Sequence, residues 1–177
     1  MARLELRHAA NAAGDWYVDS RCIDCGTCRE LAPQIFAQDR TQSVVRWQPP
    51  RSDEIGAWLA AQACPTQSIG TAPHRPRPGR LFPREIEAGA GVFDLGYCSE
   101  DSFGATSWFV ARPSGNVMID SPRFTAALVA PLKERGGVDH IALTHRDDVA
   151  DARRWAEEFG ARVWIAEADR SAAPFAT

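Results

Sequence analysis

The reading turns on Cys22-Ile23-Asp24-Cys25-Gly26-Thr27-Cys28, answered far downstream by Cys64-Pro65. Three cysteines at i, i+3 and i+6 on one short loop can turn three thiolates toward a common centre. The fourth then has to arrive from another element of the chain. Gly26 has no Cβ, which permits the close backbone approach that amide-to-sulfur hydrogen bonds require. Pro65 stops any helix that precedes it and removes an amide donor beside Cys64. A zinc ion usually takes two paired Cys-x2-Cys knuckles in a tetrahedron, and a third cysteine at i+6 with a lone fourth fits that poorly. A cube-shaped iron–sulfur core, with one thiolate at each of four corners, fits better. A zinc-stabilised interaction module remains the alternative for the same four residues.

The rest of the composition narrows the setting. With 24% charged residues, 45% hydrophobic residues and a net charge of −3, the 177-residue chain has a folded, globular composition without the basic excess that nucleic-acid binding needs. The N-terminus has charges at Arg3, Glu5 and Arg7 and lacks the apolar run of a secretory signal. No stretch reaches the roughly 18 apolar residues of a membrane span. The expected location is cytoplasmic, with neither nucleic acid nor membrane as partner. In a reducing compartment clustered cysteines point to metal rather than to disulfides.

Residues 73–84 read Pro-His-Arg-Pro-Arg-Pro-Gly-Arg-Leu-Phe-Pro-Arg. Four prolines exclude a helix or a central strand, and repulsion among Arg75, Arg77, Arg80 and Arg84 extends the segment. This predicts a linker between domains at 1–72 and 85–177. In the first half a short strand is expected over 15–18, a helix over 29–36 and a returning strand over 43–47. Ser52 is the expected N-cap of a helix over 53–63, whose apolar face is Ile55, Leu59 and Ala63 and whose end delivers Cys64. In the second half strands are expected over 105–111 and 116–120, flanking a turn at Pro113-Ser114-Gly115. A helix over 123–135 closes on Gly136-Gly137. A strand over 140–144, a helix over 149–159 ending at Gly160 and a strand over 162–166 follow. The order ββαβαβ belongs to a layered α/β architecture. Trp108, Trp155 and Trp164 are expected in its core.

The first half resembles the single-cluster bacterial-type ferredoxins over about residues 14–70. The resemblance lies in Asp19, the cysteine loop, Leu31-Ala32-Pro33 with Phe36, and Ala63-Cys64-Pro65-Thr66. Two-cluster ferredoxins carry two copies of the Cys-x2-Cys-x2-Cys-x3-Cys-Pro run, and this chain has one. The resemblance implies an α+β ferredoxin-like domain with a single [4Fe–4S] cluster held by Cys22, Cys25, Cys28 and Cys64, and a redox protein as partner.

The second half resembles the N-terminal part of a metallo-β-lactamase-fold domain. That resemblance lies in Gly104–Val110, in Asn116-Val117-Met118-Ile119-Asp120-Ser121, and in a strand running into Thr144-His145. The hallmark of that family is His-x-His-x-Asp-His, whose ligands hold metals that activate water. Here His145 matches the first histidine and Asp147 stands where the second belongs. An allowance of two extra residues aligns Asp151 with the aspartate and leaves Ala152 at the last histidine. His145, Asp147 and Asp151 are thus the candidate second metal site, an incomplete one. The expected whole is a ferredoxin-like domain followed by a partial α/β layered domain that does not hydrolyse. The alternative is a metal-dependent hydrolase with a structural or regulatory ferredoxin module. An incomplete sheet leaves apolar surface, so a homodimer or a further C-terminal half is expected to cover it.

Overall fold

The computed structural model describes residues 1–177, and the chain divides into two units, Met1–Leu81 and Phe82–Thr177. In the first, strand β1 (Trp16–Val18) pairs antiparallel with β4 (Ile69–Thr71). Strands β2 (Phe36–Asp39) and β3 (Gln42–Val45) form a second antiparallel pair, joined through Arg40 in a left-handed conformation. Two helices, α1 (Thr27–Leu31) and α2 (Ile55–Ala63), pack against each other. Trp16, Val18, Ile35, Phe36, Val45, Ala57, Ala60, Ala61 and Ile69 share one buried core with Cys28 and Cys64.

Local chemistry explains where these elements depart from the sequence expectation. The helix expected over 29–36 is shorter because Pro33 drives the preceding residue out of helical geometry. Ala32 sits at φ −147°, ψ 67°, and Phe36 is free to open β2. The helix expected over 53–63 begins at Ile55 behind a 3-10 turn, Arg51–Asp53, and Ser52 does not cap it. Its buried residues are Ala57, Ala60, Ala61, Gln62 and Ala63; of the expected face Ala63 is buried, Leu59 is half-buried and Ile55 is 55% exposed. Small residues win most of those buried positions because α1 lies close. A Cβ on Gly56 would already stand 3.2 Å from the Cβ of Ala32.

The proline-rich segment is not a free tether along its whole length. Arg75, expected to be a solvated linker residue, places its guanidinium on both carboxylate oxygens of Glu54 at 2.8 and 2.6 Å. It also lies over the rings of Trp16 and Trp58. Nη1 alone makes both hydrogen bonds, and the planar guanidinium suits the ring contacts. Gln62 holds the next stretch, donating to the carbonyls of Pro78 and Gly79 and accepting from the Leu81 amide.

The second unit is one six-stranded sheet in the order β10-β9-β8-β7-β6-β5. Its strands are β5 (Arg84–Glu85), β6 (Val92–Asp94), β7 (Trp108–Val110), β8 (Val117–Ile119), β9 (His140–Ala142) and β10 (Arg162–Trp164). Neighbours from β5 to β8 are antiparallel, and β8, β9 and β10 are parallel. Parallel neighbours need a crossover, which α3 (Ala126–Glu134) and α4 (Ala152–Phe159) supply. The central residues Phe109, Met118, Ile141 and Val163 lie opposite one another in register. All four are buried, in a row across the sheet. Thr125 caps α3 by accepting from the Ala127 amide. The helix closes through Gly137, whose amide donates to the Leu132 carbonyl. Gly160 ends α4 at φ 67°, as its position suggested.

The helices start later than the sequence pattern indicated because turns precede them; Ala152 N–H donates to the Val149 carbonyl before α4 begins. Trp155 is fully buried and donates to the Pro122 carbonyl. Trp164 is a correction to the expected core, being 44% exposed on the edge strand. No helix is long and apolar enough to cross a membrane.

Asp19 anchors the first unit from inside. Its side chain is fully buried and accepts from the Arg3 amide, the Arg21 amide and the Arg21 guanidinium. Burial by itself would raise its pKa. The hydrogen bonds from Arg21, Arg3 and Ser68 outweigh it and hold the carboxyl below its ordinary 3.8. A lowered folded-state pKa gives stability that is full above the unfolded value and is lost as pH falls through the folded one. Asp19→Asn should therefore cost about 2 to 3 kcal/mol near neutrality, measured by denaturant unfolding, and the deficit relative to the parent should shrink below about pH 4. In the joining segment Arg75 and Arg77 each precede proline, which leaves Arg80 as the open tryptic site before Phe82. Gln62→Ala should speed cleavage there severalfold, read by gel densitometry.

Candidate metal centre

Each cysteine reaches the centre by a different local device. Asp24 takes a left-handed conformation at φ 59° and Gly26 another at φ 89°, so the loop between Cys22 and Cys28 doubles back on itself. Gly26 then starts α1, which carries Cys28 on its first turn. Cys64 is the residue that ends α2, its amide bonded to the Ala60 carbonyl. All four cysteines line one pocket, together with Val18, Ile23, Thr27, Ser43, Thr66 and Ile69. Cys28 and Cys64 are buried and Cys22 and Cys25 are partly open. The fifth cysteine, Cys98, is buried in the other unit.

Every sulfur has a hydrogen-bond partner at hand. Cys22 Sγ accepts from the amides of Asp24 and Ser43, both at 3.4 Å. Cys25 Sγ lies 3.4 Å from the Thr27 hydroxyl. Cys28 is bonded to the Ser43 side chain. Cys64 Sγ accepts from the Ser68 amide at 3.3 Å and lies 3.6 Å from the Thr66 hydroxyl. Such donors stabilise negative charge on sulfur. With protons on the sulfurs, burial pushes the Cys28 thiol up to about 12; the Ser43 hydrogen bond opposes this, and the neighbouring cysteines add to it. Burial likewise raises the Cys64 thiol. These thiols hold their protons until a metal displaces them, so loading the site releases protons.

The donor set fits an iron–sulfur cluster: four thiolates, hydrogen-bond donors to each, and an apolar lining of Val18, Ile23 and Ile69. The hydroxyl donors escaped sequence reasoning. Two of them follow a cysteine at the same spacing, in Cys25-Gly26-Thr27 and Cys64-Pro65-Thr66, and that repeated offset was the available signal. Ser43 had none, because it comes from β3.

The second candidate set lies after β9. His145 Nδ1 accepts from the Asp147 amide at 3.2 Å and stands 3.5 Å from an Asp147 carboxylate oxygen. Asp151 turns instead to the Phe124 amide at 2.7 Å and to Arg154 at 3.7 Å. Asp120 accepts from the amide and hydroxyl of Thr144. Asp148 lies close enough to Asp120 that burial, with that neighbouring charge behind it, raises its pKa. His145 and Asp147 are thus adjacent, and Asp151 is engaged elsewhere.

Comparison with known proteins bears on the first site. Residues 18–71, just under a third of the chain, match the family model for the 4Fe-4S single cluster domain of ferredoxin I. No curated protein matches the chain. The matched span contains all four clustered cysteines and excludes Cys98, and it supports a ferredoxin-type iron–sulfur domain in this part of the chain. Cys64→Ser should abolish or degrade the cluster, while Cys98→Ser should leave iron and sulfide content unchanged. Iron and acid-labile sulfide assays on anaerobically prepared protein make the comparison, and equal behaviour of the two variants would overturn the ligand assignment.

Proposed function

We propose that the chain transfers single electrons through one [4Fe–4S] cluster held by Cys22, Cys25, Cys28 and Cys64, exchanging them with a redox protein. When bound, the cluster supplies a one-electron couple, its net charge with four thiolates passing from about −2 to about −3. The observation that carries the reading is the convergence of four cysteines, each sulfur with a hydrogen-bond partner, inside a span that matches a ferredoxin family. The protein's part is to hold the ligands, to supply hydrogen bonds that favour added negative charge, and to leave an edge open for electron exchange. Cys22 and Cys25, the partly open pair, mark that edge. Four thiolates without a histidine ligand favour the low end of the roughly −700 to +450 mV span of such clusters.

For the second unit the reading is a metallo-β-lactamase-like layer without hydrolytic activity. Its support is the strand order, antiparallel up to β8 and parallel through β9 and β10 with two helical crossovers, which places His145 just beyond a parallel strand. Ligands in open α/β sheets sit at that end. A hydrolytic metal needs a fixed ligand set with one position for water, and Asp151 is engaged with Phe124 and Arg154 instead.

Anaerobically purified protein should be brown, hold about four iron and four sulfide per chain, and give a reversible one-electron reduced paramagnetic signal. One zinc per chain with no iron would overturn the electron-transfer reading. Added Zn²⁺ or Fe²⁺ should elicit no thioester or lactam hydrolysis, and activity that His145→Ala removes would overturn the reading of the second unit.

A further inference from the structure

Ser43 touches two of the four cluster ligands. Its amide donates to Cys22 Sγ at 3.4 Å, and its hydroxyl is bonded to Cys28. The residue is 1% exposed, so water does not compete for those bonds. Its hydroxyl also meets the Arg29 guanidinium through Nη1 at 2.5 Å. Arg29 is held in turn by Asp24, whose carboxylate takes the same Nη1 and whose backbone carbonyl lies near Nη2. The other Asp24 oxygen accepts from Gln38.

Proton counting fixes the direction of this chain. A guanidinium has donors and no acceptor, and a serine hydroxyl has one hydrogen and two lone pairs. Against Arg29 the Ser43 oxygen can only accept. Its single hydrogen is therefore left for Cys28 Sγ, and the positive charge behind it polarises the O–H bond toward sulfur.

On the electron-transfer reading above, the geometry points to a tuning relay, Asp24–Arg29–Ser43, that aims one hydroxyl hydrogen at Cys28 and raises the reduction potential of the cluster. Donors to ligand sulfur stabilise the reduced, more negative state more than the oxidised one, which shifts the potential upward. Ser43 acts by touching a ligand atom. Arg29 is a positioning residue that acts through Ser43, and Asp24 fixes Arg29. The three come from the loop before α1, from α1 itself and from β3, so the relay also ties the cysteine loop to the second strand pair.

The test uses the full chain, anaerobically prepared, with iron and sulfide content measured beside the potential. Ser43→Ala keeps the amide and removes the hydroxyl. It should shift the midpoint negative at unchanged iron and sulfide content, and Ser43→Thr should restore most of the shift. Arg29→Met should also shift the midpoint negative, but by less in the Ser43→Ala background than in the parent. Exchange into D2O should perturb the Fe–S stretching bands of the parent, and this response should diminish in Ser43→Ala. An unchanged midpoint in cluster-loaded Ser43→Ala overturns the proposal. Equal Arg29→Met shifts in both backgrounds also overturn it, since Arg29 would then act by charge alone. Should Ser43→Ala fail to load, Ser43→Thr and Arg29→Met carry the test: an unchanged midpoint in Arg29→Met, or a negative shift there with the D2O response of the parent, rejects the relay, and a negative shift with a diminished D2O response beside parent-like Ser43→Thr supports it. A parent chain that holds zinc and no iron would instead reject the underlying electron-transfer reading.

Discussion

Two of the four clustered thiols, Cys28 and Cys64, are buried where protons are hard to lose, and much of the first unit answers that constraint. Burial raises the Cys28 and Cys64 thiols, so the fold by itself favours neutral sulfur. Negative charge there becomes tolerable only through compensation: a metal core and, around it, hydrogen bonds from Asp24, Ser43 and Ser68 amides and from hydroxyls. A unit of this size buries too little apolar surface to be comfortably stable by that alone. Metal binding energy at this site is then also folding energy.

The geometry that brings Cys64 to the loop rests on small residues. Ala57, Ala60, Ala61 and Ala63 are all buried on α2, and Gly56 sits where a side chain would crowd Ala32. Larger residues would hold α2 farther from α1 and carry Cys64 away with it. The other end of the arrangement is set by charge. Asp19, buried and bonded to Arg3 and Arg21, fixes the approach to Cys22, whose amide bonds the Asp19 carbonyl. Glu54, held by Arg75 and Trp16, fixes the start of the helix that ends at Cys64. Burial alone would raise the Glu54 pKa, yet the bonds from Arg75 and Trp16 lower it.

The sequence made some of this legible and hid the rest for physical reasons. The cysteine spacing, the stop at Pro65, and the closures at Gly136-Gly137 and Gly160 are local signals, each written in one or two residues. The alternation that buries Phe109, Met118, Ile141 and Val163 could be read as strands, but their common row is a matter of register between strands. Strand β5, with two residues, is too short to show a period. Ile55 looked like the core face of α2 because apolar spacing cannot say which neighbour is near; the close approach of α1 selected the alanine face. Arg75 looked like a linker charge because its partner, Glu54, lies 21 residues away and nothing local announces the pair. Ser43 is the same case at the metal centre, since its role depends on β3 passing the loop.

The second unit shows how much a site depends on where each carboxylate spends its hydrogen bonds. Asp120, at φ 56° at the end of β8, accepts from the backbone and side chain of Thr144 and so ties the ends of two parallel strands together. Asp151 accepts from the Phe124 amide, which fixes the chain entering α3 against the chain entering α4. Both carboxylates are acting as structural acceptors at strand ends and helix entries. His145 and Asp147, by contrast, are exposed and bonded mainly to each other within one turn. A metal ligand set needs side chains that the fold holds in place and leaves with free lone pairs. Here the carboxylates that the fold holds are turned to local backbone and side-chain donors, and His145 and Asp147 stand in a solvent-exposed turn. At the cysteine centre, by contrast, side chains from a loop, from α1 and from the end of α2 line one pocket, and backbone amides and hydroxyls reach their sulfurs.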